Sequence, residues 1–173
     1  MRLTKVSLEA PEGLLDMYTD AGDGENGFYG ESDLIAGRLS LQKHLQNLVA
    51  MSEGRTLRPG WVPMTTYWLL DTAGTVVGLS RLRHSLTPQL LIDGGHIGYY
   101  VRPGYRGKGH GTTVLKLTLV EARALGLERV LLTVRPGNTP SVRIIEGQGG
   151  VLEDERTDPE TGVTYRRYWI DLV

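Results

Sequence analysis

Hydrophobic and polar positions alternate with a period of two in several short segments, which is typical of strands with one buried face. The turn TAGT separates two such segments, and a third ends at a proline. The pattern predicts strands at residues 2–8, 65–71, 75–84, 94–101, 129–134 and 165–172, the last paired with a segment near 150–156.

A period near 3.6 marks the helices. Leu115, Leu119 and Ala122 fall on one face, and Gly126 is placed to end that helix. The same reasoning predicts helices over residues 11–19, 34–51 and 111–125 and a short one from about residue 139. Strands and helices together predict a mixed α/β fold with a strand–helix–strand–helix unit in the second half.

Composition narrows the class of protein. A chain of 173 residues predicts one domain, residues 1–173, and a net charge of −1 gives no strong attraction to nucleic acid or anionic membranes. No cysteine is present, so disulfides, thiolate nucleophiles and cysteine-bound zinc are excluded, and no metal site is expected. The chain has no apolar run of membrane-spanning length and no signal-peptide pattern, so a cytoplasmic location is expected.

The segment YYVRPGYRGKGHGTT, residues 99–113, is the least ordinary part of the chain. A strand ends, glycines alternate with Arg106, Lys108 and His110, and a helix begins. Helix starts carry unpaired N–H groups and positive dipole ends, and glycines let the backbone approach a phosphate closely. The segment therefore predicts a pyrophosphate cradle; the alternative is a turn whose basic side chains face solvent.

Two familiar phosphate motifs do not fit this segment. Gly104 and Gly109 have P-loop spacing, but His110 stands where that motif requires lysine. The dinucleotide fingerprint also fails, because Gly107, Gly109 and Gly111 are one residue too close together.

A third pattern fits. RGKGHG resembles the Q/R-x-x-G-x-G/A signature of the GNAT superfamily of N-acetyltransferases, with Arg106, Gly109 and Gly111 at the signature positions. The preceding strand, the following helix and strand, and Asn138 with Ser141 also stand where that family has them. The resemblance covers roughly residues 65–173.

The resemblance implies a mostly antiparallel sheet with a splayed central strand pair, and acetyl-CoA as cosubstrate without a metal. The turn amides would hold the pyrophosphate, the backbone of residues 99–101 would pair with the pantetheine arm, and Asn138 would contact that arm from the other side. Glycines at 94, 95 and 98 would permit a bulge in the splayed strand. The implied cofactor-binding residues are Tyr99, Tyr100, Val101, Arg106, Gly107, Lys108, Gly109, His110, Gly111, Thr112, Asn138 and Ser141.

The chain departs from the family pattern after residue 144. Ile145 stands where many members have a tyrosine that acts as general acid, and Gly150 stands where many have an aromatic residue. The thiolate then leaves unprotonated, or takes its proton from water or from Tyr99 or Tyr100.

His96 is the candidate general base, because it lies in the predicted splayed strand and its unperturbed pKa suits proton removal from an ammonium. The alternative is a histidine whose hydrogen bonds serve the fold.

The segment 20–33 is rich in acidic residues. It is either a solvated loop or an acidic rim that recruits a cationic acceptor. The acidic residues are Asp20, Asp23, Glu25, Glu31 and Asp33.

The sequence thus predicts an acetyl-CoA-dependent N-acetyltransferase that acts on a primary amine of a small cationic acceptor, with a homodimer possible by analogy with the family. One alternative is a non-catalytic acyl-CoA-binding or sensor domain of the same fold. The other is a nucleotide-binding domain that uses the same cradle.

Overall fold

The computed structural model describes residues 1–22, 31–55 and 57–173. Five α-helices and seven strands lie in the described residues, with a short 3₁₀ turn at Pro103–Tyr105. The strands are β1 (Arg2–Lys5), β2 (Met64–Leu70), β3 (Val76–Arg83), β4 (Ile97–Val101), β5 (Arg129–Val134), β6 (Val151–Thr157) and β7 (Thr164–Asp171). The helices are α1 (Leu14–Ala21), α2 (Ser32–Ile35), α3 (Leu41–Ser52), α4 (His110–Ala124) and α5 (Thr139–Gly147).

The strands form two antiparallel half-sheets. The first has the order β1-β2-β3-β4 and the second the order β5-β7-β6. The predicted mostly antiparallel α/β fold is therefore confirmed, and so is the pairing of the last strand with the segment that begins at Val151. Strands β4 and β5 are neighbours in space but share no ladder, which leaves the sheet divided between them.

The two half-sheets are joined at the residue before β4. The backbone amide of His96 donates to the Leu131 carbonyl at 2.7 Å, and the Leu131 amide donates back to the His96 ring atom Nδ1 at 2.9 Å. The imidazole thus takes the place of a main-chain acceptor. After this contact β4 and β5 separate.

Hydrogen bonding on the other side of β4 fixes which backbone groups face the gap. The Arg83 amide donates to the His96 carbonyl at 2.8 Å, and the Arg102 amide donates to the Val77 carbonyl at 3.0 Å. Because backbone groups alternate in direction along a strand, the even-numbered residues of β4 pair with β3. The N–H and C=O groups of Tyr99 and Val101 consequently point toward the gap.

Several predicted elements differ from the observed ones. The strand predicted at 2–8 ends at Lys5, and the helix predicted over 11–19 covers Leu14–Ala21. The strand predicted at 94–101 begins only at Ile97, because Gly94 and Gly95 adopt φ values of +109° and +58°, which a strand does not contain. The helix predicted over 34–51 is divided into α2 and α3, since Gly37 has φ +71° and the Ser40 side chain caps a new helix start.

Each face of the first half-sheet carries its own hydrophobic cluster. Helices α1 and α3 pack on one face against Trp68, Leu79 and Tyr100. Helix α4 packs on the other face, where Tyr99 and Val101 contact Val114. The side chains of Tyr99 and Tyr100 therefore lie on opposite sides of the sheet.

Gly95 is expected to be irreplaceable at the junction. An alanine Cβ would lie 2.4 Å from the Leu131 carbonyl oxygen, at a positive φ. Gly95→Ala should lower the free energy of unfolding by about 3 kcal/mol or more, measured by urea denaturation. Gly98→Ala is the control, because its Cβ meets nothing within 4 Å. Equal stability of the two variants would contradict the close contact.

Candidate functional site

An open glycine turn precedes α4. Gly107 and Gly109 have φ values of +74° and +79°, a region that L side chains rarely adopt, and a Cβ at either position would meet nothing within 4 Å. These glycines are therefore required by backbone conformation, and no atom of the described residues lies within 4 Å of where their side chains would begin.

The start of α4 presents unpaired amides to that space. Gly109 is the N-cap residue, no side chain caps the helix, and its first turn holds no acidic residue. The amide of Thr113 donates to the Gly109 carbonyl at 3.0 Å. The preceding amides, those of His110, Gly111 and Thr112, have no helical acceptor, so this end of α4 favours an anion.

The basic side chains of the turn have different environments. The Arg106 Nε donates to the Val101 carbonyl at 3.0 Å, and its guanidinium lies 5.6 Å from the Tyr100 ring centre. Arg106 thus ties the turn to the open edge of β4. The exposed Lys108 ammonium lies 3.4 Å from the Gly104 carbonyl and 5.8 Å from the Tyr105 ring centre, both long contacts, so it can move toward a bound phosphate.

Gly111 has a different function from Gly107 and Gly109, the other two glycines of the segment RGKGHG. A Cβ there would lie 2.7 Å from Ile144 Cδ1, so the missing side chain lets α4 approach α5. The predicted cradle residue is also a packing residue.

The start of α5 lies across the gap from β4. The Asn138 side chain accepts a hydrogen bond from the Ser141 amide at 3.4 Å and caps the helix. Ser141 lies near the Tyr99 hydroxyl, which is buried and has no hydrogen-bond partner among the described residues. Burial raises the pKa of the Tyr99 phenol, and the nearby Ser141 partly offsets this. The Tyr99 hydroxyl therefore stays protonated at neutral pH.

The two departures from the family pattern are linked in space. Ile145 is 2% exposed and belongs to the core between α4, α5 and the second half-sheet. Its Cγ2 would lie 2.5 Å from a Cβ at position 150. A branched residue at 145 thus accompanies a glycine at 150, and the usual tyrosine hydroxyl has no counterpart at this position.

His96 does not have the geometry that the sequence predicted for a general base. It precedes β4 and is 7% exposed, and its Nδ1 lone pair already accepts the Leu131 amide. The neutral ring then carries its proton on Nε2. Burial, and secondarily the nearby Arg83 charge, lower the pKa of His96 to about 4. The correction is that this imidazole offers no free lone pair to an ammonium proton.

Part of the α1–α3 face of β3 and β4 is left uncovered by the residues that the structure describes. Arg81 and Gly98 are opposite each other in the ladder, and a Cβ at Gly98 would meet nothing within 4 Å. The Arg81 Nη2 donates to the Glu31 carboxylate at 2.8 Å, with both side chains partly exposed. We call the surface formed by Arg81, Gly98 and Glu31 the acceptor face.

A buried polar pair lies close to this face. The Tyr18 hydroxyl and His44 Nε2 are 3.0 Å apart, and both residues are at most 3% exposed. Burial raises the pKa of Tyr18 and lowers the pKa of His44, so a neutral phenol donates to a neutral imidazole. This pair fixes α1 against α3. The sequence gives no signal for this pair, because the two residues are 26 positions apart.

The negative charges of the described part of the acidic segment are paired with arginines. Asp20 accepts from Arg102 at 2.7 Å, and Asp33 pairs with Arg38 at 2.7 Å. Glu31 pairs with Arg81, as described above. Asp23 and Glu25 lie outside the described residues, so the proposed acidic rim is not supported by the acidic residues that the structure describes.

Residues 1–22, 31–55 and 57–173 contain no cluster of three metal-ligating side chains. None of their helices is long and apolar enough to cross a membrane.

The family model that matches this chain and three similar solved structures are all described as acetyltransferases. The model of the acetyltransferase (GNAT) family matches residues 42–149. An N-acetyltransferase from Staphylococcus aureus has a TM-score of 0.69 at 17% identity, over 99% of this chain and 98% of that chain. A putative acetyltransferase from Salmonella typhimurium, yncA with its cofactor acetyl-CoA, has a TM-score of 0.63 at 15% identity, over 99% and 94%.

A third similar structure is a spermidine N-acetyltransferase SpeG chimera from Vibrio cholerae and hSSAT. Its TM-score is 0.66 at 16% identity, over 99% of this chain and 97% of that chain. No curated protein matches the sequence. At these identities the structural likeness shows the fold alone.

The neutral His96 is expected to contribute to stability in a pH-dependent way. Its folded pKa of about 4 lies below the ordinary 6.5, so the unfolded chain binds the proton more readily. The contribution is therefore complete above about pH 6.5 and falls as the pH drops toward 4. His96→Asn keeps an acceptor but does not titrate. When the pH falls from 7 to 4.5, the free energy of unfolding of this variant should decrease by about 2 to 3 kcal/mol less than that of the natural chain.

Urea denaturation at both pH values measures this difference, and nitrogen chemical shifts of the ring report the tautomer. An imidazole that titrates near its ordinary pKa, or that carries its proton on Nδ1, would contradict the bond to Leu131.

Proposed function

The chain belongs to the GNAT acetyltransferase family, and we propose that it transfers an acetyl group from acetyl-CoA directly to a primary amine of a small acceptor. One observation carries the proposal: an open left-handed glycine turn at a helix start lies beside the unpaired edge of β4. This combination suits a ligand that has both a pyrophosphate and an extended amide-containing arm.

The residues around the turn fit the phosphate end of acetyl-CoA. The amides from Gly107 to Thr112 lie where neither a side-chain cap nor an acidic residue competes for them. Lys108 adds a mobile positive charge. A negatively charged group at this place is favoured by the helix dipole as well as by direct hydrogen bonds.

The edge of β4 fits the pantetheine arm. Tyr99 offers its N–H and C=O groups and Val101 its N–H toward the gap, as an edge strand offers them to an added strand, while the Val101 carbonyl accepts from Arg106. The backbone of Tyr100 pairs with Leu79, and its buried side chain packs on the opposite face with Trp68, so its predicted contact with the arm is not supported. Asn138 lies on the α5 side of the gap and would contact the arm from there.

Acetyl-CoA supplies a thioester carbonyl that an amine can attack. A bond forms between the amine nitrogen and the acetyl carbon, the carbon–sulfur bond breaks, and the amine loses a proton. Because the His96 lone pair is occupied, we assign this proton to solvent that reaches the open surface above Gly98. Holding the amine beside the thioester supplies acceleration through proximity.

Tyr99 is the better of the two candidate tyrosines for protonating the thiolate. Its hydroxyl stays protonated and lies on the α5 side near Ser141. The Tyr100 side chain belongs to the opposite face, with Trp68 and Leu79.

One observation favours the alternative of a non-catalytic acyl-CoA sensor. Ile145 fills the position of the usual acid and is buried in the core. CoA binding without acetyl transfer to any amine would support that alternative.

The cradle can be tested with matched glycine variants. Gly109→Val should put a side chain in the space assigned to the phosphates and weaken CoA binding by at least 10-fold, measured by calorimetry. Gly60→Val is the control, because Gly60 has φ +80° and an equally open Cβ position, so it carries the same backbone strain. Unchanged CoA affinity in a folded Gly109→Val protein would remove the cofactor assignment.

Direct transfer predicts a specific kinetic pattern. A covalent route needs an activated nucleophile, and the chain has no cysteine. Both substrates must then be bound together, so reciprocal plots of initial rates at several acceptor concentrations should intersect. Parallel lines, together with an acetylated protein in the mass spectrum before acceptor is added, would show a covalent route instead.

A further inference from the structure

Arg83 ends β3 directly beside the junction of the half-sheets. Its backbone amide donates to the His96 carbonyl, and its guanidinium Nη1 donates to the carbonyls of Gly94 and Gly95 at 3.0 and 3.1 Å. One corner of the guanidinium therefore holds the turn that leads into β4. Its Nε and Nη2 make no hydrogen bond within the described chain and are not sealed from solvent.

The charge of Arg83 is compensated less than that of other shielded arginines. Arg81, Arg102 and Arg167 each pair with a carboxylate. Within the described ranges no carboxylate lies at ion-pair distance from Arg83, and Asp93 acts on it only from farther away. Burial and the like charge of Arg81 both lower the pKa of Arg83, although a guanidinium remains charged in proteins.

The Arg83 side chain lies on the same side of the sheet as the acceptor face. Side chains two residues apart on a strand share a face, so Arg83 lies on the side of Arg81 and Gly98. It also lies across the ladder from His96, where β4 and β5 begin to separate. An anion bound by Nε and Nη2 would thus lie beside both the open surface and the gap.

We propose that Arg83 binds a carboxylate of the acceptor, so that the acceptor is an amine that also carries a carboxylate, as amino acids do. This inference rests on the proposed function. The fork of Nε and Nη2 matches the two oxygens of a carboxylate, while Nη1 keeps its contacts with the turn. An acceptor with positive charges alone would meet an uncompensated guanidinium at the same place.

Pairs of acceptors that differ only in the carboxylate test the proposal. Lysine with cadaverine, phenylalanine with phenethylamine, and methionine with 3-(methylthio)propylamine are assayed for CoA release with acetyl-CoA. For at least one pair, the natural chain should show a kcat/KM higher by about 10- to 100-fold for the amino acid, the scale of a hydrogen-bonded ion pair. Arg83→Gln should remove this preference, and Arg83→Lys should retain part of it.

Arg123→Gln is the control variant, because it removes one positive charge from an exposed position near the end of α4. It should leave the preference unchanged. The ratio within each variant is the readout, since a general loss of folding or of cofactor binding lowers both members of a pair equally.

Turnover of both members at equal efficiency, or an Arg83→Gln variant that keeps the preference, overturns this inference and leaves the acetyltransferase proposal intact. CoA binding without turnover of any acceptor overturns both.

Discussion

The bond between the His96 ring and the Leu131 amide is the constraint on which the site depends. It closes one end of the gap between the half-sheets and replaces a main-chain acceptor with a side chain, so the ladder does not continue into β4. The neighbouring Gly95 must lack a side chain to allow this approach, and Arg83 holds the carbonyls of the same turn. Because the Nδ1 lone pair accepts this bond, the ring has no lone pair left to take a proton from a substrate. The structural role of His96 therefore excludes a role as general base.

The two hydrogen-bonding edges of strand β4 have different functions. Its even-numbered backbone groups complete the first half-sheet. The N–H and C=O groups of Tyr99 and the N–H of Val101 remain for a ligand, since the Val101 carbonyl accepts from Arg106. Backbone groups without partners are costly when they are shielded from water, so an edge of this kind favours an extended ligand that supplies the missing hydrogen bonds. The absence of a side chain at Gly98 keeps the opposite surface accessible from the α1–α3 side.

The features that sequence could predict are those set by local chemistry. A strand end, left-handed glycines and a helix start occur within a dozen residues, so the glycine turn before α4 was predictable from glycine spacing. Strand β5 was predictable from its run of apolar residues. The start of β4 was not, because the strand pattern does not reveal two consecutive left-handed glycines. The state of His96 depends on Leu131, which is 35 residues away, and Tyr18 and His44 meet across two helices. Long-range pairing of this kind leaves no signal in a single sequence.

The charge of the acceptor face depends on which side chains pair in the fold, and the composition of the segment does not show this. Five acidic residues within fourteen positions indicate a negative surface when only the sequence is considered. In the fold, Asp20, Glu31 and Asp33 each pair with an arginine from outside or near the segment, and much of their field is cancelled at short range. At the junction Arg83 has no carboxylate at ion-pair distance among the described residues, so it adds an uncompensated positive charge to the field there. Its sign is opposite to that of the segment, so local composition is a poor guide to the ligand that this face favours.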